Sequence, residues 1–241
     1  MASTSSLRGD ATRDQIKLAA RRLFALRGIH GVTTREIVAA TGQKNGGSLH
    51  YYFRTKEMLV RELIVDGAKL IDERRNAALD AAEVEGGPQT LRDVIELLVW
   101  PSTNLGEVEG EEDSYIRFIS NLGLQERALL SEVLAGQWNS GYQRCLEHIR
   151  RLLPAIPARI LQQRLVFLSL SLRAIMAARE AALDHRREHM RFWTAPDTME
   201  NLIDWMEASL TGLMSEGNQR HAIPFAGASA RSDTRDISDT D

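Results

Sequence analysis

The sequence is poor in the features that mark secreted or membrane-spanning chains. It holds one cysteine, Cys145, so no internal disulfide is available and nothing points to a bridge-stapled secreted framework. No apolar run approaches the roughly 18 consecutive residues of a membrane-crossing helix. No basic start is followed by an apolar stretch, so no signal peptide is expected and a cytoplasmic location is. No Gly-x-Gly-x-x-Gly turn, phosphate loop or nucleophile elbow occurs, and no cofactor is implied. Val, Ile and Thr rarely alternate with polar residues, and no hairpin dipeptide joins two alternating runs, which argues against a sheet. What remains is ordinary globular material, 43% hydrophobic and 26% charged, in 241 residues.

The charges are unevenly placed. The net charge is −3, yet residues 1–60 hold ten Lys or Arg against four Asp or Glu. A basic head on an acidic body suits a protein that meets a polyanion with one end. Chance clustering on solvated helix faces would give the same count.

Apolar spacing predicts an all-α chain of about nine helices. The first is expected from Thr12, where Thr12-Arg-Asp-Gln15 forms a capping-box pattern, with Ile16, Ala20, Leu23 and Phe24 as its apolar stripe. A second box, Thr33-Thr-Arg-Glu36, opens a short helix that Gly42 ends, and a third helix covers about 46–52. Thr55 caps a long helix to about Ala82. Further helices are expected near 89–104, 111–122, 125–153, 158–184 and 197–216. The expected organisation is a disordered tail at 1–9, a helix-turn-helix head at 10–54 and a connecting helix at 55–82. A helical body for ligand binding and dimerisation follows at 83–216, then a disordered tail at 217–241.

Short helices joined by a tight turn at Gly42 describe a helix-turn-helix. Such a head reads DNA by placing one helix in the major groove, while flanking helix N-termini and hydroxyls hold phosphates. Candidate contacts crowd onto the third helix and its approach: Lys44, Asn45, Gly46, Gly47, Ser48, His50, Tyr51 and Tyr52. Thr33, Thr34, Arg35 and Lys56 stand where phosphates would lie. The plainer reading of Tyr51 and Tyr52 is packing against the first helix.

Residues 16–59 closely resemble the tetracycline-repressor (TetR) family signature. The matching residues are Ile16, Ala20, Leu23, Phe24, Gly28, Thr33-Thr34, Glu36-Ile37, Ala40, Gly42, Leu49, Phe53, Lys56-Glu57 and Leu59. The resemblance implies a DNA-binding transcriptional regulator, released from a palindromic operator by a small-molecule effector and acting as a homodimer. It implies that Thr33–Arg35 touch phosphate and sometimes a base. Ser48, His50, Tyr51 and Tyr52 fall on recognition-helix positions, and Lys56 on a phosphate-holding lysine. Two departures stand out. One extra residue lies between Gly42 and Phe53, and His50 replaces a usual tyrosine.

Other signals are weaker. His185-Arg-Arg-Glu188-His189 matches an inverted zinc-peptidase pattern, the basis of an alternative reading as a metal-dependent hydrolase. Arg186, Arg187 and Arg191 oppose a dication there. Cys145 and His148, three apart, have no second pair of possible metal ligands. An adaptor without a nucleic-acid role would need no groove-reading helix. In the body, Trp100, Tyr115, Phe118, Trp138 and Tyr142 are aromatics, all but Phe118 polar-edged, that suit a ligand pocket, although ordinary core is the alternative for each. Leu161, Leu165, Leu168, Leu172 and Ile175, then Met199, Leu202, Ile203, Met206, Leu210 and Leu213, make the last long helices apolar on more than one face. Ala208 and Gly212 add a small-residue groove. A second copy is expected to pack there.

Overall fold

The computed structural model of the chain describes residues 3–42, 47–106, 113–184 and 190–222. Among them every regular element is helical. The head is α1 (Ser3–Arg27), α2 (Thr34–Ala40) and α3 (Ser48–Phe53). Next, α4 (Lys56–Val84) runs out of the head into the body, 29 residues and roughly 43 Å long. The body comprises α5 (Leu91–Val99), α6 (Tyr115–Gln125), α7 (Arg127–Leu134), α8 (Ser140–Leu152) and α9 (Ala158–Asp184). It closes with α10 (Met190–Thr194), α11 (Thr198–Thr211) and α12 (Glu216–Ala222).

Local chemistry places most of these boundaries. Ile16, Ala20 and Phe24, four apart on α1, are fully buried, and so is Ile37 of α2. Leu49 and Phe53 turn the inner side of α3 into the same core. The capping box at Thr33 forms, with Glu36 N–H donating to Thr33 Oγ1 at 3.3 Å and Thr33 N–H donating to Glu36 Oε2 at 2.7 Å. Thr55 accepts from Met58 N–H at 3.1 Å and starts α4. Gly42, at φ 71°, makes the left-handed residue after α2 that a side chain would disfavour.

Three boundaries differ from the expectations. Helix α1 begins at Ser3, so residues 3–9 are helical rather than a disordered tail. At its Gly9 the Tyr52 hydroxyl of α3 lies 3.8 Å from where a Cβ would stand. Residues 216–222 are helical too; Ser215 heads that turn, its hydroxyl accepting from Asn218 N–H at 3.4 Å. The helix expected over 125–153 is split into α7 and α8. Ala135, Gly136 and Trp138 all adopt positive φ between them. The restart is held from afar, because Asp72 of α4 accepts from Ser140 Oγ at 2.9 Å and Gly141 N–H at 2.8 Å. A carboxylate at a helix N-terminus satisfies donors that the helix itself leaves free.

Head and body share one apolar core. Phe24 of α1 stacks on Phe118 of α6 with centroids 6.1 Å apart. Asn121 donates to the Ala25 carbonyl at 2.8 Å, and Arg21 Nε to Ser114 Oγ at 3.3 Å. The connecting helix is therefore not the only link between the two parts; α6 is a second. A notch in α4 seats the start of α6. Gly67 lies against the Tyr115 ring, where an added Cβ would come within 2.1 Å of it, and the Tyr115 hydroxyl donates to the Ile64 carbonyl at 2.9 Å.

Candidate nucleic-acid interface and body cavity

With Leu49 and Phe53 committed to the core, α3 turns its other side outward. Tyr51 is 81% exposed and His50 is exposed, while Ser48 is half-buried at the first turn. Tyr52 lies sideways, edge-on to Tyr51 with centroids 4.9 Å apart and abutting α1. The packing alternative thus describes Tyr52, and the outward chemistry describes Tyr51. His50 Nδ1 lies 2.6 Å from the Arg54 carbonyl and must donate to it, so Nε2 is the ring atom left for an outside partner. Gly47 precedes α3 at φ −81°, which any residue adopts, and a Cβ there would meet nothing within 4 Å. Among the described residues nothing crowds a side chain at that position. Lys44, Asn45 and Gly46 lie outside the described residues, as does most of the extra-residue segment after Gly42.

At the start of α2, Thr33, Thr34 and Arg35 are exposed. The Thr33 hydroxyl is engaged in the capping box, donating to Glu36 Oε2 at 2.7 Å. Those hydrogen bonds from Thr33, with Arg27 at 2.8 Å, hold the Glu36 carboxyl down at about 2. Lys56 is not simply a free phosphate cation. Its Nζ donates to the Ile29 and Val32 carbonyls at 2.9 and 3.0 Å, tying α4 to the α1–α2 connection. One ammonium proton remains for another partner.

Part of the head's basic charge is paired within the chain. Lys17 meets Asp66 at 2.7 Å, Arg13 pairs with Glu62 and lies 5.0 Å over the Phe53 ring, and Arg27 holds Glu36. These cations brace α1 against α4 and α2. Arg35 and Arg54 are exposed and carry no such pair among the described residues. Net charge along the sequence therefore overstates what the head offers to a polyanion.

In the body a cavity of about 430 Å³ opens between α4, α5, α6, α8 and α9. Of the five expected aromatics, Tyr115, Trp138 and Tyr142 line it, with Met176 beside them. Two do not. Phe118 is 1% exposed and sits in the joint with Phe24, because its side of α6 faces α1. Trp100, 42% exposed, ends α5 at a separate shallow cleft beside Pro88 and Pro101. Trp138 owes its place to the unpredicted break after α7, and Lys69 stands 5.6 Å over its ring. Composition also hid two arginines on this wall, Arg75 and Arg173. Arg75 is 7% exposed; its Nε donates to the Leu97 carbonyl at 3.1 Å, and its Nη2 to the Leu98 carbonyl at 3.2 Å and Ser102 Oγ at 3.3 Å. Burial holds its pKa below the usual arginine value although Asp72 is near.

The long-helix stripe divides differently from expectation. Leu161, Leu165 and Leu168 of α9 and Met199, Leu202, Ile203, Met206 and Leu210 of α11 are buried within the single chain. They pack α9 and α11 on each other and on the rest of the body, so they are not available to a second copy. The apolar residues left outside are Val166, Phe167 and Leu170 of α9 and Trp205 of α11, with Leu213 beyond its end. His185, Glu188 and His189 lie outside the described residues; among those described, no cluster of three or more His, Cys, Asp or Glu could hold a metal. No described helix is long and apolar enough to cross a membrane.

A short helix held against a three-helix core, its polar and aromatic side turned outward, defines a helix-turn-helix DNA-binding transcriptional regulator. Residues 16–63 match the family model described as bacterial regulatory proteins, tetR family. Among solved structures the chain is similar to a TetR family transcriptional regulator, PfmR, from Thermus thermophilus. The two share 15% identity with a TM-score of 0.44 over 83% of this chain and 99% of that one. No curated protein matches the chain.

Proposed function

We propose that this regulator binds a palindromic operator as a homodimer and is released by a small molecule held in the body cavity. The observation that carries the reading is the outward side of α3, where Tyr51 stands 81% exposed beside His50 at the end of a braced head. Ser48, His50 Nε2 and Tyr51 face the groove, and Lys44, Asn45 and Gly46 belong to the approach. Gly47 leaves the backbone bare for close contact. Thr33, Thr34 and Arg35 take phosphates at the start of α2, with the last proton of Lys56 beside them.

The exposed side of α9 and α11 supports a dimer. Val166, Phe167, Leu170 and Trp205 are apolar and left exposed by the described residues, and exposed Ala208 and Gly212 permit close helix approach. The two recognition helices would then reach major grooves about 34–36 Å apart, or a multiple of that. Release needs a path from cavity to head. Both α4 and α6 supply one, since Tyr115, Ile116 and Ile119 line the cavity on the helix whose Phe118 and Asn121 hold α1. An effector weakens DNA binding only by its preference for the unbound arrangement, about tenfold per 1.4 kcal/mol, and DNA weakens the effector equally.

The test is selection of bound sites from random duplex DNA with the full chain. A two-fold symmetric site whose affinity falls steeply with salt supports the reading. Binding without sequence preference, or to an asymmetric single half-site, overturns the palindrome and the dimer with it.

A further inference from the structure

The cavity has a one-sided electrostatic character. Its wall contains two guanidinium groups, Arg75 and Arg173, and no Asp, Glu, His or Lys. Apart from Ser102, Ser169 and three aromatic edges, the remaining surface is aliphatic or methionine. The Tyr115 hydroxyl is already donating to the Ile64 carbonyl.

Arg75 is the unusual member. It is buried on the inner wall, yet every acceptor it holds is neutral: two backbone carbonyls and one hydroxyl. Asp72, three residues before it on α4, has both oxygens engaged by Ser140 and Gly141 at the start of α8. Among the described residues Nη1 has no acceptor. A buried cation without a directly paired anion carries a desolvation penalty that neutral acceptors offset only in part. Here it borders an empty volume large enough for a small organic molecule. Arg173, exposed at the α9 side beside α6, likewise has no hydrogen-bonded or ionic partner among the described residues and adds a second positive charge.

We propose that the cavity binds an apolar molecule carrying one carboxylate, with the carboxylate on Nη1 of Arg75 and the apolar body along α6 and α9. This rests on the reading of the cavity as the effector site and names the effector's chemical class. Guanidinium and carboxylate are matched in shape and charge, and their hydrogen bonds strengthen where water is excluded. The body lies against Ile116, Ile119, Leu165, Leu168, Leu172 and Met176. Arg173 favours arrival of the anion rather than its final seat. An amine is excluded by the same two charges.

The experiment uses the full-length chain with dodecanoic acid, its methyl ester and dodecylamine below their aggregation concentrations. Naphthylacetic acid with its own ester and amine forms a second set with a flat aromatic body. Binding is read by calorimetry and by Trp138 emission, taken as the difference from Trp138→Phe, and operator release by anisotropy. The acid of at least one set binds about ten- to a hundredfold more tightly than its ester, and the amine does not bind. In Arg75→Gln that acid-to-ester ratio falls towards one; Arg173→Gln lowers it less. Should Arg75→Gln fail to fold, the wild-type ratio alone decides.

An ester that binds as tightly as its acid and releases the operator overturns the anionic class while leaving the effector site in place. An acid that binds with the expected preference but leaves the operator bound overturns the effector reading and keeps the anion site. No binding by any member of either set overturns the proposal.

Discussion

Two glutamates at helix starts separate the head from the body. Glu36 closes the capping box on the surface of the head, and its exposed carboxyl is held down at about 2 by Thr33 and Arg27. Glu180 of α9 reaches across the body to the first turn of α6, accepting from Ile116 N–H at 2.9 Å and Arg117 N–H at 2.7 Å. Its pKa moves the other way, up to about 7, because it is buried and faces the negative charge of Asp113; the two amides and Arg117 only partly offset this. The same device works through local, solvated contacts in the head and through distant, desolvated contacts in the body. Functional chemistry follows that division. The head displays its groups on a short segment, whereas the body assembles its groups from five helices around a cavity.

The largest effect should come from a charge in the buried seam of the body. Leu202→Arg is expected to lose about 3–5 kcal/mol and with it the cooperative fold, since the new cation has no partner. Phe167→Glu, on the exposed side of α9, should leave the melting transition nearly in place and shift the mass from dimer to monomer. Light scattering with thermal melting distinguishes them, and matching behaviour of the two variants would erase the assignment of inner and outer faces.

Next in size is Gly67→Ala. The new methyl meets the Tyr115 ring, so about 1–3 kcal/mol should be lost through displacement of α6. Wild-type stability by denaturant titration would mean that the α4–α6 notch is not tight.

Within the head, Tyr51 and Lys56 should part company. Tyr51→Ala removes an exposed side chain, so stability should stay within about 0.5 kcal/mol while operator affinity falls about tenfold. Lys56→Ala leaves two carbonyls without their donor and should also destabilise the head by about 1–3 kcal/mol. Equal melting of both variants would return Lys56 to a purely DNA-facing role.

The smallest effect is in pH dependence. Glu36 is more acidic when folded than its ordinary 4.5, so its contribution is present above that value and lost as pH falls towards about 2. Glu180 is less acidic when folded, so it should favour folding increasingly as pH falls through about 7 towards the ordinary glutamate value. Glu36→Gln should flatten only the acid limb and Glu180→Gln only the near-neutral one, as followed by melting at a series of pH values. A single limb flattened by both would show that the two sites are not separate.

Sequence order was enough for the head because its structure is made of neighbours. Thr33 and Glu36 lie three apart, Leu49 and Phe53 four apart, and Gly42 terminates α2 by its own backbone freedom. Those spacings determined the helix-turn-helix, and apolar periodicity along the rest of the chain its all-α character. They did not show that Lys56 reaches back to Ile29 and Val32, or that Arg13 and Lys17 are paired with α4, because those partners lie tens of residues away. In the body the distant partners decide nearly everything. Asp72 restarts the chain at Ser140, which turns one expected helix into two and leaves Trp138 at the cavity. Phe118 and Tyr115 lie on one helix, yet α1 takes the first and α4 receives the second. Leu202 and Trp205, three residues apart and both apolar, are sorted into core and surface only by where α5 and α9 pack. Periodicity establishes that a helix has an apolar side; which of two apolar sides meets its own chain is settled by burial against neighbours that the spacing does not name.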